Sequence, residues 1–504
     1  MQSKTRPTLR LWGRQEVRRG ASFFASVRSL IGARALLAVL QFLSLPLLAR
    51  LLDVRDFAIM ALAMAIPLFA NTFSDAGLGR SLVRRDHFDP AEWSTVFWFL
   101  AAVGTALGLL VIASAPVYSA VMGEPDLVAV VIVLASVPFL QALVSPHQAK
   151  LERDYRFHEI SAISVASGVI ALGVALAFAL VGAGYWALVA QQVALAGARA
   201  AGFLWLSRFR PGLAFDWPLL KPHLNFGKNT LLFSGVMTAQ SQVVILAFGQ
   251  VFGTSAVALW SMAERASRLA RTGLAGPVSQ VTLVSMSRQW RQGDGAAEVA
   301  DIYLASSRVL ATVLVPAFVA VALSGDAIFV WFLSEPWRPV AWVFALAVPA
   351  FLVEALTSAG GRVFMVSDRT DLRLRMSVER FSLGLVVFLG AFPFGVGPAI
   401  LARSVFAVLY LPRYWSYLRR CVPLDRMVAA RLLVAPVMAG IGCGLVQRYG
   451  LNPLAGSSTF AAFSTLAMAV LAICAAGVFT RRELRSDIAL LRRSAHRPGE
   501  TGSP

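Results

Sequence analysis

Apolar runs, each long enough to cross a bilayer, alternate with short polar breaks along most of the chain. A helix rises 1.5 Å per residue, so about 20 residues cover the ~30 Å hydrocarbon core. Runs of that kind fall at 21–49, 57–79, 92–114, 127–149, 158–181, 184–206, 229–249, 254–287, 297–323, 339–366, 376–392, 396–412, 427–446 and 459–480. The pattern predicts an all-α polytopic membrane protein of about 14 transmembrane helices.

The polar breaks carry a second pattern. Short loops that hold Lys and Arg stay on the cytoplasmic side. Counting alternate loops puts 31 of the 46 basic residues on the side shared by both termini and four (Arg50, Arg55, Arg338 and Arg448) on the other. One extra or missing span would mix the two sets, so both termini are expected in the cytoplasm. The chain then divides into a basic cytoplasmic segment (1–20), an N-lobe of spans 1–6 (21–206), a cytoplasmic linker (207–228), a C-lobe of spans 7–12 (229–412), spans 13–14 (427–480) and a basic cytoplasmic tail (481–504). The linker contains three prolines and reads as a connector with a short amphipathic surface helix. "ARLLDVRDFAIMALA" (49–63) and "GQVFGTSAVALWSMA" (249–263) are a faint repeat at an offset of 200, which implies lobes of parallel topology with a cavity between them.

Composition agrees. The 504 residues are 57% hydrophobic and 14% charged, with mean hydropathy +0.68, far from a soluble protein of this size. A net charge of +19 suggests nucleic acid at first, but the basic residues follow the loops, so no nucleic-acid partner is expected. Cys421, Cys443 and Cys474 have no metal-ligand or disulfide spacing. "DAGLGRSL" (75–82) lacks the third glycine of a dinucleotide loop, no phosphate-binding P-loop occurs, and the five histidines sit in loops, at span ends or in the tail. No catalytic constellation, cofactor or metal site is expected.

The informative residues are charges inside apolar runs, each costing about 2.5–3.5 kcal/mol at the bilayer centre unless turned to water or protein. Arg28, Arg199, Arg362 and Arg431 lie near cytoplasmic span ends and can reach headgroups. Arg34, Arg265, Arg268 and Arg308 lie deeper and are assigned to anion binding in the cavity. Asp75, Glu264, Glu354 and the adjacent Glu379 and Arg380 are candidate coupling residues or ion pairs. For Glu264 and Arg268 a purely structural i, i+4 pair is the alternative. Within the runs 11 bases stand against eight acids, four of which (Glu92, Glu159, Glu298 and Asp301) lie at the very start of a run; the deeper excess of bases favours an anion, and guanidinium matches phosphate by its planar fork. Three arginines three apart in "SMAERASRLARTGLAG" (261–276) also look like a voltage sensor, but the run stops at three and no pore loop accompanies it. Arg271 is expected to meet the headgroups.

The segments "LLARLLDVRDFAIMAL", "FSDAGLGRSLVRRD", "LERDYRF", "GYWALVAQQ" and "LNFGKNTLLFSGVMTAQSQVVILAFGQVFGTSAVALWSMAERASRLA" together resemble bacterial polysaccharide flippases. These belong to the multidrug/oligosaccharidyl-lipid/polysaccharide exporter superfamily, and the resemblance is to its lipopolysaccharide or colanic-acid exporter branch. It covers most of residues 20–480. It implies two six-helix lobes around a central cavity plus two C-terminal helices. It also implies an undecaprenyl-diphosphate-linked oligosaccharide cargo, turned across the bacterial inner membrane by alternating access, with membrane lipids and other polysaccharide-assembly proteins as partners. Cavity arginines on the first and eighth spans of such flippases map onto Arg34 and onto Arg265 or Arg268. Where family members often carry an acid before the Gly-x-x-x-Gly of span seven, this chain has Gln240 and Gln242. Asp75 or Glu354 would therefore have to serve in any cation coupling. Other readings are a peptidoglycan-precursor flippase, a drug/cation antiporter, and a membrane polysaccharide polymerase or ligase. The antiporter would want an acidic cavity, and the enzyme a catalytic external loop or acidic metal motif.

Overall fold

In a computed structural model, the structure describes residues 32, 36–74, 77–83, 88–290, 295–424, 433–454 and 457–496. Among the described residues there are helices and turns and no strands. Eleven helical stretches among the described residues are long and apolar enough to cross a membrane, and Leu36–Leu51 is a shorter apolar helix. Large apolar side chains such as Leu110, Val117, Val386 and Val470 are exposed on these helices. Such a surface needs lipid around it, which makes the chain a multi-span helical membrane protein.

The chain forms two compact units, Met1–Gln250 and Val251–Pro504. Unit 1 begins with α1 (Leu36–Leu51), α2 (Val54–Ala63), α3 (Ala65–Ser74) and α4 (Leu78–Val83). It continues with α5 (Pro90–Met122), α6 (Leu127–Leu134), α7 (Ser136–Arg153), α8 (Phe157–Leu180) and α9 (Trp186–Leu206). Asp89 caps α5 by accepting the Ala91 N–H at 2.9 Å, with Pro90 in the first turn, where its missing N–H costs nothing. Small residues let the backbones close up. Gly104 and Gly108 of α5 lie against Ala142 and the Ala135 carbonyl, and α8 buries an Ala171, Ala175, Ala179 stripe.

The next helical stretch, α10 (Trp217–Trp290), contains the passage between units. It breaks at Gly253, whose φ of 77° and ψ of −178° suit a residue without a Cβ. The apolar runs 229–249 and 254–287 thus lie on its two arms.

The segment 207–224, read from sequence as part of a linker, is bound to unit 1. Gly212 N–H donates to Ser94 Oγ at 2.9 Å, Asp216 N–H to Thr95 Oγ1 at 3.1 Å, and Trp98 Nε1 to the Gly212 carbonyl at 2.8 Å. Phe209 packs edge-on against Trp93, and His147 Nδ1 meets Ser207 Oγ at 2.7 Å. His223 is fully buried between Ser81 Oγ and Glu92 Oε1, at 2.7 Å from each. The sequence gives no sign of these histidines, because their partners are distant along the chain.

Unit 2 contains α11 (Ala296–Ser324), α12 (Asp326–Phe332), α13 (Val340–Thr357), α14 (Gly360–Val366), α15 (Thr370–Gly390), α16 (Val396–Leu409) and α17 (Leu411–Leu418). Three further helices follow: α18 (Val434–Leu445), α19 (Ser458–Phe479) and α20 (Arg481–His496). Gly440 and Gly444 seat α18 on α11: a Cβ on Gly440 would stand 2.8 Å from the Val319 Cβ, and one on Gly444 2.7 Å from Leu323 Cδ1.

Candidate functional site

The charges expected inside the membrane separate into three groups, of which one gathers into a candidate site. Its frame is the second arm of α10, packed through Trp260 against Phe351 of α13 at 5.8 Å between ring centroids. Along this arm stand Glu264, Arg265, Arg268 and Arg271. Successive residues three apart turn back about 60° around the axis, so the three arginines have different surroundings.

Arg268, 59% exposed, holds Glu264 at 2.7 Å, the i, i+4 pair expected from sequence. Arg265 is half-buried and interacts electrostatically with both. Arg271, expected to meet the headgroups, has partners within the protein. Its Nη1 lies 2.6 Å from Glu354 Oε2 on α13, its Nη2 donates to Ser267 Oγ at 3.3 Å, and its guanidinium stands over the Phe351 ring at 5.4 Å. The buried Arg271 Nε has no hydrogen-bond partner. In the Arg271–Glu354 pair the arginine is 12% exposed and the carboxylate 56%, so the acid is the outer member.

Arg403 of α16 joins the group, a residue that sequence reasoning had not singled out. Its guanidinium lies 5.0 Å from the ring centroid of buried Trp260, and its charge couples to Glu354, Glu264, Arg380 and Arg271. The only sign of it in the sequence was an Arg in an otherwise apolar run. The cluster therefore holds five guanidiniums (Arg265, Arg268, Arg271, Arg380 and Arg403) against two carboxylates (Glu264 and Glu354). From Trp260 to Arg271 it follows about 16 Å of α10 at 1.5 Å per residue.

The second group is Glu379, which sequence had paired with its neighbour Arg380. Adjacent helical residues point about 100° apart, and Glu379 turns instead to Arg413 of α17. Arg413 Nε donates to it at 2.8 Å and Nη2 at 3.2 Å, while the Tyr417 hydroxyl donates at 2.5 Å. This network ties α15 to α17.

The third group corrects Arg308, which was expected to bind the anion with Arg265 and Arg268. It lies under α20, 3.0 Å from Asp487 and 3.3 Å from Glu483, and is 12% exposed. Burial pushes the Asp487 carboxyl above its ordinary pKa, and the Arg308 charge pulls it back. Arg199, expected to reach headgroups, is half-buried, with its Nε lacking a hydrogen-bond partner. Arg28, Arg34, Asp75 and Arg431 lie outside the described residues. Among the described residues no group of three His, Cys, Asp or Glu side chains is placed to hold a metal ion.

Comparison with known proteins adds to this geometry. The family described as polysaccharide biosynthesis protein matches residues 47–342. The teichuronic acid biosynthesis protein TuaB of Bacillus subtilis is 21% identical over 67% of this chain and 69% of its own length. The succinoglycan biosynthesis transport protein ExoT of Rhizobium meliloti is 24% identical over 62% of each chain. The lipopolysaccharide biosynthesis protein WzxC of Escherichia coli is 21% identical over 69% of this chain and 70% of its own. Among solved structures, the lipid II flippase MurJ in an inward closed conformation superposes with a TM-score of 0.72. It covers 90% of this chain and 99% of its own at 12% identity, a likeness of fold.

Proposed function

The chain belongs to the polysaccharide biosynthesis protein family, and on that premise we infer that it is a flippase of lipid-linked oligosaccharides. It turns an undecaprenyl-diphosphate-linked repeat unit from the cytoplasmic to the periplasmic leaflet of the bacterial inner membrane, for surface polysaccharide assembly. Both termini lie in the cytoplasm. The observation that carries the reading is the excess of guanidinium over carboxylate in the α10, α13 and α16 cluster. A lipid diphosphate offers negative charge to balance that excess and paired acceptor oxygens that fit the guanidinium fork.

The residues suggest how the headgroup is handled. In the resting cluster Glu354 occupies Arg271 from the exposed side, standing where a phosphate oxygen would stand. An arriving diphosphate displaces it and gains Arg271 Nε as a further donor. Arg403, Arg265 and Arg268 neutralise the remaining charge along α10, so the headgroup always has a cation within reach while the lobes alternate access. After release, Glu354 returns to Arg271. A drug/cation antiporter would need the opposite balance of charge.

The test is export in a strain lacking the chromosomal copy. Arg271→Ala combined with Arg403→Ala should abolish surface polysaccharide while the protein still inserts in the membrane. Normal export from the double variant would overturn the assignment of these arginines.

A further inference from the structure

Among the charged groups that the flippase reading leaves unused, those of α20 are the most sharply sorted. Its sequence, "RRELRSDIALLRRSAH", holds five arginines and two acids, yet no arginine lies three or four residues from Glu483 or Asp487. Residues three or four apart are the ones that meet on a helix surface, so this spacing denies the arginines an ion pair within the helix. At 100° per residue, Glu483, Asp487, Leu490 and Leu491 share about 100° of the circumference. Arg481, Arg482 and Arg485 share about 100° centred on the opposite side.

The structure turns the first of these faces to the rest of unit 2. Arg308 of α11 lies 3.0 Å from Asp487 and 3.3 Å from Glu483, and Leu490 and Leu491 pack against the buried cluster that contains Met286, Tyr303 and Tyr417. Arg481, Arg482 and Arg485 are exposed and have no hydrogen bond or ion pair among the described residues. Arg481 and Arg482 also occupy the first turn of α20, where the positive end of the helix dipole makes a cation unfavourable unless an anion is near.

Position along the chain supplies that anion. Only Thr480 separates α20 from α19, and the last residues of α19, Val478 and Phe479, are 70% and 78% exposed. On a spanning helix such side chains meet lipid, so the arginines begin where acyl chains give way to headgroups. Ile488, beside the arginine face, is 38% exposed, an apolar group suited to the same boundary. Guanidinium forks match phosphate oxygens, and each basic side chain close to an anionic leaflet adds to the attraction.

We propose that the outer face of α20, through Arg481, Arg482 and Arg485, docks on anionic phospholipid headgroups, so that the helix is held between unit 2 and the leaflet. The surface shares no residue with the cluster of α10, α13 and α16, and the proposal does not depend on what that cluster carries.

The experiment places the full chain in nanodiscs of phosphatidylcholine alone, or of phosphatidylcholine and phosphatidylglycerol in equal parts, and follows hydrogen exchange in peptides from α20. Wild-type amides should exchange about tenfold or more slowly with phosphatidylglycerol present. The difference should shrink at about 0.5 M salt, because screening acts on exposed charges. With Arg481→Gln, Arg482→Gln and Arg485→Gln combined, α20 should exchange alike in both discs. Peptides of α8, in unit 1, are the reference and should not respond to the lipid. Equal exchange of wild-type α20 in both discs, full protection in the triple variant, or a lipid effect of the same size in α8 would overturn the proposal. Slowing by undecaprenyl diphosphate added to phosphatidylcholine discs, without slowing by phosphatidylglycerol, would assign the face to the cargo and overturn it too. The wild-type comparison decides even where the triple variant is not recovered folded.

Discussion

The two units are built alike and furnished differently. Both pack apolar helices through small residues, Gly104 and Gly108 in unit 1 and Gly440 and Gly444 in unit 2. Around α3 and the first arm of α10, unit 1 offers amides and hydroxyls. Along the second arm, unit 2 offers five arginines and two glutamates.

The largest break in that contrast should come from Arg271→Ala. It removes a buried arginine that Glu354 and Ser267 hold in place and that the diphosphate reading needs. Transport of a fluorescent undecaprenyl-diphosphate sugar in proteoliposomes should fall about 100-fold or more, with Lys rescuing only in part because it lacks the fork. Glu354→Gln should act in the opposite sense on binding. With Arg271 uncovered, bare undecaprenyl diphosphate should bind about tenfold tighter, equivalent to 1.4 kcal/mol, while turnover slows. Unchanged affinity would show that Glu354 does not compete for the site.

Unit 1 supplies a smaller effect. His223→Ala leaves the buried Glu92 carboxylate without its 2.7 Å partner, which should cost about 1–3 kcal/mol. The expected result is a lower melting temperature in detergent with headgroup affinity unchanged. Glu264→Gln should do least. The Arg268–Glu264 pair is an exposed i, i+4 contact worth about 0.3–0.5 kcal/mol, so stability should hardly move. A loss there as large as that of Arg271→Ala would mean that Glu264 acts on the cargo.

What could be read from the sequence follows from range. Apolar runs are local, and each of the runs given above overlaps a described helix. The Glu264–Arg268 pair is local as well and was legible from its spacing. The partner of Arg271 was not, since Glu354 lies on another helix and only packing brings them together. Arg308 was misread for a related reason. It was grouped with the cavity arginines by depth along the apolar run, whereas its acids, Glu483 and Asp487, come from α20, far along the chain. The error over Glu379 was one of direction, since neighbours in sequence face different ways. Arg403 has no acid close by in sequence, and its contact is an aromatic ring.

The stretch between α9 and α10 bears on how the protein can be handled. By sequence it opens a polar linker (207–228) with three prolines, the place where a fluorescent protein or epitope would ordinarily be inserted. Yet the backbone at Gly212 and Asp216 is bonded to Ser94, Thr95 and Trp98, and Phe209 is buried. A reporter placed there would pull those hydrogen bonds apart and loosen the start of α10 from α5.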